Sequence, residues 1–243
     1  LWENAGSVLV TSATLSTGGN FTYLANEIGA PESTQYAALP SPFNLHEQAV
    51  VEIPPFPCLP DSPDHAEQVA RWMETHMDWD VATLVLFTSR RKMEAAYAAL
   101  SPEYQAWVEV QGVRTRAEQI RGHVERVRAG KRSVLMGLMS LGVGLDLGGD
   151  LLEHVVITQI PFAVPTDPIG ATRAEWIERA GGNAFFNIAL PAATRTLVQF
   201  AGRLIRTETD TGRITLTDRR LVAKRYGADI LKALPPFRQQ VAR

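Results

Sequence analysis

The 243-residue sequence has little cysteine and no long apolar run. Its one cysteine, Cys58, lies in a proline-rich stretch. A single cysteine excludes a disulfide framework, a cysteine-based zinc site and a complete iron–sulfur site within this chain. No apolar run approaches the ~20 residues that a membrane-spanning helix needs. No signal peptide leads the chain. We therefore expect no membrane association.

An excess of positive charge is also missing. The sequence has 24 Lys and Arg residues against 26 Asp and Glu residues, a formal net charge of −2. A nucleic-acid site must therefore be a local groove, because no global basic field is present. The sequence also lacks a G-x-x-x-x-G-K-[ST] loop and an Asp-Glu-x-His box, so this chain encodes neither a full phosphate cradle nor a magnesium site.

Strands and helices alternate over most of the chain, and hydrophobic residues, at 45%, are ample for a core. Predicted strands span 49–53, 82–87, 107–110, 133–138, 152–160 and 212–217. Predicted helices span 64–77, 90–100, 116–129, 171–186 and 224–234, and the segment 171–186 is predicted to be broken at Gly181 and Gly182. This alternation predicts an α/β fold, with a doubly wound, mostly parallel sheet and helices on both faces. Ligands in such sheets bind at the carboxyl ends of the strands.

The N-terminal part is predicted to contain a buried strand over 7–15 that runs into a loop. Small hydroxyl residues end this run, among them Thr11, Ser12 and Thr14, and plain capping of a strand end is an alternative interpretation of them. A short helix is predicted over 20–29, and a proline-rich connection over 41–64. The chain begins within a segment that the sequence predicts to be structured. We therefore expect a single domain over 1–243 that is a fragment of a longer protein.

Glycine is concentrated in residues 140–150, directly after a predicted strand. The segment contains G-x-G, but another strand follows within a few residues, where a dinucleotide-binding fingerprint requires a helix. A tight strand-to-strand turn is one interpretation. The other is a backbone cradle in which Asp146 is presented to a ribose or to an arginine.

The most informative stretch is 199–206, Q-F-A-G-R-L-I-R. It follows 190–194, where Pro191 and a capping Thr194 favour the start of a helix. On such a helix, Arg203 and Arg206 are three residues apart and project on the same side, with Gly202 leaving a bare patch between them. Two parallel guanidinium groups suit a polyphosphate. A solvated helix face with two ordinary arginines is the alternative interpretation.

Five short motifs occur in a fixed order. They are T-S-A-T at 11–14, L-V-L-F-T-S at 84–89, V-Q-G at 110–112, S-x-x-x-G-L-D at 140–146 and Q-x-x-G-R-x-I-R at 199–206. An S-P-F-N turn at 41–44 accompanies them. Their order resembles the DinG-type branch of the XPD-like superfamily 2 DNA helicases, over nearly the whole chain. Each motif is weak alone, and the last, which resembles the sixth helicase motif, is the most specific.

The resemblance implies the second of two RecA-like domains in an ATP-driven motor that moves 5′ to 3′ on single-stranded DNA. It implies ATP-facing roles for Gln199, Gly202, Arg203 and Arg206, with both arginines reaching the γ-phosphate. The fifth motif, with Gly144 and Asp146, touches nucleotide and DNA in such motors. That family often has Glu at the position that Val143 occupies here, so no role follows for a carboxylate there.

The resemblance also implies a strand-facing rim and a coupling segment. The rim comprises Ser89, Arg90, Gln111, Gly112 and Ser140. Arg114, Arg116 and Arg121 lie nearby in the sequence and are expected to reach phosphates, with a solvated helix face as the alternative interpretation. The coupling segment comprises Thr11, Ser12 and Thr14.

Cofactors and partners follow from the same resemblance. ATP and Mg²⁺ are expected to bind mainly to the first motor domain, which also holds any iron–sulfur cluster. The expected partners are single-stranded DNA and that first domain, in a cytoplasmic, nucleoid-associated bacterial monomer that serves DNA repair. A standalone α/β binding or interaction module and an RNA-directed helicase domain are the alternatives.

Overall fold

Seven parallel strands form one sheet in the computed structural model, which describes residues 2, 5–12, 14–16, 19–163 and 168–242. In chain order they are β1 Ala49–Ile53, β2 Thr83–Phe87, β3 Val108–Val110, β4 Val134–Leu138, β5 His154–Ile157, β6 Gly212–Leu216 and β7 Arg238–Val241. Their order across the sheet is β3-β4-β2-β5-β6-β1-β7. This arrangement confirms the predicted doubly wound α/β fold.

Helices cover both faces of this sheet. In chain order they are α1 Thr22–Ile28, α2 Leu45–Gln48, α3 His65–His76, α4 Arg90–Ala99, α5 Pro102–Gln105, α6 Arg116–Arg128, α7 Met139–Gly142, α8 Pro168–Arg179, α9 Leu190–Ala201, α10 Arg220–Ala223 and α11 Arg225–Ala233. A 3₁₀ turn spans Gly149–Leu151, and a π-helical turn spans Phe185–Ala189.

The core consists of two apolar layers, one on each face of the sheet. Alternate residues of β2 enter opposite layers: Leu84 and Leu86 pack with α7, α9 and α11, whereas Val85 and Phe87 pack with α3 and α4. Because side chains of a strand alternate between faces, a central strand covered on both sides must be apolar throughout. This explains the uninterrupted apolar run that predicted the strand.

The predicted N-terminal strand is wrong. Residues 7–12 and 14–15 are extended or turn-like and form no strand in the described structure, while Ala13 lies outside the described residues, as does Gly18 of the predicted helix cap. A strand needs a neighbour to pair its backbone groups, and Leu9 remains 89% exposed here. Apolar β-forming residues alone therefore did not make a strand.

The predicted break at Gly181 and Gly182 is confirmed, because α8 ends at Arg179. The start of α9 differs from the prediction, because the π-helical turn runs directly into it. Leu190 N donates to Phe185 O, five residues back, next to Pro191, which has no N–H of its own. Thr194 is consequently not a cap: its hydroxyl lies inside α9 and donates to Leu190 O at 2.7 Å.

Candidate functional site

The arginine motif lies at the end of α9 and in the turn that follows it. The helix ends at Ala201, so the prediction that Arg203 and Arg206 share a helix is wrong. The physical reason is a competing acceptor: the Asp210 carboxylate accepts hydrogen bonds from Arg206 N at 2.8 Å and Thr207 N at 2.9 Å. These N–H groups therefore do not continue the helical pattern.

The two guanidinium groups nevertheless meet. Arg203 Nη1 donates to Leu145 O at 3.2 Å, and Arg206 Nη2 donates to the same oxygen at 3.0 Å. Arg206 Nη1 also pairs with the carboxylate of Asp146. The open alternative for Asp146, a ribose or an arginine, is thus answered in this structure by an arginine. Gln199 and Gly202 are exposed on the last turn of α9 and just after it.

The loop that receives these arginines is the glycine-rich segment. It leaves β4 through α7 and alternates buried and exposed residues: Leu145 is 3% exposed, whereas Gly144 and Asp146 face solvent. Gly144 has φ +68°, a left-handed conformation that favours glycine. A Cβ on Gly142 would overlap the Phe200 ring of α9. The loop is therefore packed against the helix that ends at the arginine motif.

Asp210 is a site residue that the motif analysis missed. Besides the two backbone N–H groups, its carboxylate accepts the Thr207 hydroxyl at 2.7 Å, and its carbonyl accepts from Gln48 Nε2 at 2.9 Å. Burial alone would raise the pKa of this carboxyl, but the hydrogen bonds from Thr207 and Arg206 hold the pKa below its ordinary value. The sequence offered no motif for Asp210, because its main partners are backbone N–H groups that any residue could supply.

The strand-facing residues gather where β2, β4 and β3 end, because these strands are neighbours in the sheet. Arg90 begins α4 with its side chain 56% exposed, and a Cβ on Gly112 would lie 2.8 Å from Arg90 Nη1. Ser89 precedes α4, and Ser140 is exposed in α7. Gln111 accepts Leu138 N at 2.7 Å through its side-chain oxygen, so it ties β3 to the end of β4.

Arg116 joins the two sets. It is the first residue of α6, after Thr115, which forms a capping box with Glu118. Its Nη2 donates to Leu141 O at 3.2 Å and to Val143 O at 2.5 Å. The sequence carried no signal for this contact beyond the position of Arg116 at a helix start.

The predicted coupling residues stand apart from this arrangement. Thr11 and Ser12 are exposed, and Thr14 N donates to Ser12 Oγ at 3.4 Å. Across the described ranges, no hydrogen bond links these three residues to the arginine set or to the strand-facing set.

The described residues lack both a metal-binding cluster and a membrane-spanning helix. No group of three or more His, Cys, Asp or Glu side chains is placed to hold a metal ion. Within the same ranges, no helix has the length and apolar character needed to cross a membrane.

Comparison with known proteins places this arrangement in context. A family model described as the helicase C-terminal domain matches residues 74–237. The chain is 39% identical, over 99% of its length, to a Photobacterium profundum protein named ATP-dependent DNA helicase DinG, and covers 36% of that protein. It is 35% identical to the Escherichia coli K12 protein of the same name, over 98% of this chain and 34% of that one. It thus spans about a third of the length of these relatives.

Solved structures show the same fold. An XPD helicase structure matches with a TM-score of 0.58 and 18% identity, over 80% of this chain and 35% of that one. The structure of S. tokodaii Xpd4 matches with a TM-score of 0.55 and 20% identity, over 86% of this chain and 42% of that one. At these identities the likeness concerns the fold alone, and it confirms the predicted RecA-like helicase architecture.

Proposed function

Because the chain belongs to the helicase C-terminal domain family of DinG-like and XPD-like helicases, we propose that it is the second motor domain of an ATP-dependent DNA helicase. The observation that carries this proposal is the meeting of Arg203 and Arg206 at the carbonyl of Leu145, beside exposed Asp146. Two fixed guanidinium groups at the surface are a ready site for the γ-phosphate of a nucleotide held by another domain.

In the assembled motor, Arg203 and Arg206 act as arginine fingers. A guanidinium group supplied across a domain cleft stabilises the charge that develops as the phosphoryl group transfers. Gln199 and Gly202 flank the arginines on the same end of α9. Gly144 and Asp146 complete this nucleotide-facing surface from the glycine-rich loop, since Asp146 already contacts Arg206.

Single-stranded DNA passes over the carboxyl ends of β2, β4 and β3, in the 5′ to 3′ direction of motion. Arg90 and the loop residues around it contact the phosphate backbone without reading bases, because guanidinium, hydroxyl and backbone N–H groups are suited to phosphate oxygens. The strand-facing residues are Ser89, Arg90, Gln111, Gly112 and Ser140. Thr11, Ser12 and Thr14 couple the two motor domains.

The first motor domain is the main partner of this chain. It binds the phosphates of ATP and Mg²⁺, because this sequence contains neither a G-x-x-x-x-G-K-[ST] loop nor an Asp-Glu-x-His box. With one cysteine, Cys58, this chain has no ligand set for an iron–sulfur cluster, so a cluster, where present, is also held there. The complete enzyme works as a monomer on the bacterial nucleoid and serves DNA repair.

The test compares the full-length protein with this chain alone. The full-length protein should hydrolyse ATP faster with single-stranded DNA than with RNA of equal length. The isolated chain should show no turnover and no micromolar binding in a calorimetric titration with ATP and Mg²⁺. Stronger stimulation by RNA supports an RNA-directed helicase instead. Micromolar binding or turnover by the isolated chain contradicts the assignment to a half-site, and a full-length protein without ATPase activity supports a binding module.

A further inference from the structure

Three arginine side chains hold the backbone of the glycine-rich loop, residues 140–150. Arg203 and Arg206 donate to Leu145 O, and Arg116 donates to Leu141 O and Val143 O. The hydrogen bond inside the loop, from Leu145 N to Gly142 O, is long at 3.4 Å. Guanidinium groups from outside therefore do more to hold the loop backbone than this bond does.

The arginines contact two neighbouring parts of the loop. Arg203 and Arg206 follow α9 and donate to Leu145 O, next to the nucleotide-facing surface. Arg116 donates to Leu141 O and to the carbonyl of Val143, which is 51% exposed beside the carboxyl ends of the strands. The position of Arg116 is well fixed, because this residue starts α6 directly after a capping box.

The two sets of arginine–carbonyl hydrogen bonds differ in the acceptors that compete for the arginine donors. A phosphate oxygen carries a full charge and accepts a stronger hydrogen bond from guanidinium than a backbone carbonyl does. A nucleotide phosphate that reaches Arg203 and Arg206 therefore competes for their donors with Leu145 O, and for those of Arg206 also with the Asp146 carboxylate. Arg116 begins a different helix and keeps its carbonyl partners. The loop is then released at Leu145 and remains anchored at Val143.

We propose that Arg116 is a positioning residue that transmits the nucleotide-dependent change in this loop to the strand-facing surface. Its guanidinium group holds Leu141 O and Val143 O on one side of the strand-facing rim, and its helix follows the loop of Gln111 and Gly112 on the other side. The proposal rests on the proposed function, and it assigns to Arg116 the link between nucleotide state and DNA affinity.

The experiment measures DNA binding in the full-length protein. Dissociation constants for a single-stranded oligonucleotide are determined with and without a non-hydrolysable ATP analogue, for the parent, Arg116→Ala and Arg128→Ala. Arg128 is the exposed last residue of the same helix and is the matched control. Coupling between sites usually changes affinity about 5- to 150-fold. We expect a ratio in this range for the parent and Arg128→Ala, and a ratio near one for Arg116→Ala.

The salt dependence of binding separates positioning from direct contact. Loss of a phosphate-contacting arginine lowers the slope of log affinity against log salt by about one. Arg116→Ala should leave this slope unchanged, and a slope lowered by about one overturns the proposal. If Arg116→Ala fails to fold, Arg116→Lys is measured instead, and an intermediate ratio is expected because an ammonium group donates to carbonyls without the planar fork.

The remaining outcomes distinguish this proposal from the proposed function. A parent ratio of one, or a parental ratio in either Arg116 variant, overturns the role of Arg116 while the helicase assignment stands. A parent that binds no single-stranded DNA under any condition contradicts the proposed function itself.

Discussion

Arg90 is the exposed residue best placed to contact a strand. Its guanidinium group lies close to Gly112, where a Cβ would be 2.8 Å from Nη1. The φ of +106° at Gly112 favours glycine, so no side chain lies between them. Its acidic neighbour, Glu94, is 3.7 Å away and also exposed, so this ion pair is weak. The guanidinium group is therefore free to exchange that partner for a phosphate oxygen.

Replacing Arg90 by Ala in the full-length protein should weaken binding of single-stranded DNA similarly for all sequences. A phosphate contact carries no base information, and its loss should reduce the salt slope by about one. Fluorescence anisotropy at several salt concentrations, on oligonucleotides of different composition, is the measurement. Arg128→Ala controls for the loss of one positive charge. A loss that depends on the sequence, or no loss at all, counts against the strand-facing assignment.

Residues of the candidate site could be predicted where they belong to a short sequence motif. Arg203, Arg206 and Asp146 were chosen from their spacing, and the structure brings all three together around Leu145 O. Asp210 was not predicted, and Arg116 was named only as an arginine near the strand-facing rim, because the contacts that matter here are mainly to backbone groups. Such a contact leaves no pattern in side-chain spacing, since any residue can supply the N–H or carbonyl.

At the scale of elements, the decisive feature is the turn that ends α9. Leu204 and Ile205 enter the core within this turn, at 1% and 6% exposure. The Asp210 carboxylate satisfies the N–H groups of Arg206 and Thr207 that the helix no longer serves. This turn directs both arginines back toward the glycine-rich loop, so the site depends on a carboxylate outside the motif.

Replacing Asp210 by Ala should lower the free energy of unfolding by about 1–3 kcal/mol, the cost of leaving buried hydrogen-bonding groups unsatisfied. The measurement is urea denaturation at pH 7, with the exposed neighbour Glu208→Ala as the control. Because the pKa of Asp210 is held below its ordinary value, its stabilisation is present above that ordinary value and is lost as the pH falls through the lowered pKa. An equal effect of both substitutions contradicts the role of Asp210.

Most elements were predictable because they are long and periodic. The predicted helix over 64–77 is observed as His65–His76, and the predicted strand over 133–138 as Val134–Leu138. The exceptions have physical reasons. One-turn helices such as Leu45–Gln48 and Pro102–Gln105 are too short to show a period. The segment 7–12 has strand-like composition, but composition does not reveal whether a pairing neighbour exists.

At the scale of the whole molecule, buried histidines make the fold sensitive to acid. Burial lowers the pKa of His65 to about 4, and burial with the charge of Arg213 lowers the pKa of His154 to about 3. Among the described residues, neither ring nitrogen of His65 has a hydrogen-bond partner, although the residue is only 1% exposed. Both histidines are therefore neutral in the folded chain at pH 7.

Stability should fall as the pH drops from about 6.5, the ordinary histidine pKa, toward 4. In that window the unfolded chain binds more protons than the folded chain, which favours unfolding. His65→Leu should reduce this dependence, and it should raise the melting temperature at pH 5 more than at pH 7. Thermal melting of both proteins at the two pH values checks this, with the exposed His46→Leu as the control. An unchanged difference between the two pH values would show that His65 does not contribute.

At the level of the whole molecule, the proposed nucleotide site is shared between two domains. We propose that this chain supplies the guanidinium groups and that the partner domain supplies the phosphate cradle. Substitution of Arg203 tests this division most sensitively, because an arginine finger is worth roughly 10³–10⁵ in turnover. Arg203→Lys keeps the charge without the planar fork and should also be defective. Thermal melting of each variant confirms that the fold is retained.

The most direct measurement is the steady-state ATPase rate of the full-length protein with Arg203→Ala, in saturating single-stranded DNA. If Arg203 is an arginine finger, the rate should be lower than that of the parent by roughly 10³–10⁵, at a melting temperature close to the parental value. Hydrolysis at the parental rate would contradict this role, because Arg203 would then be a solvated or structural residue.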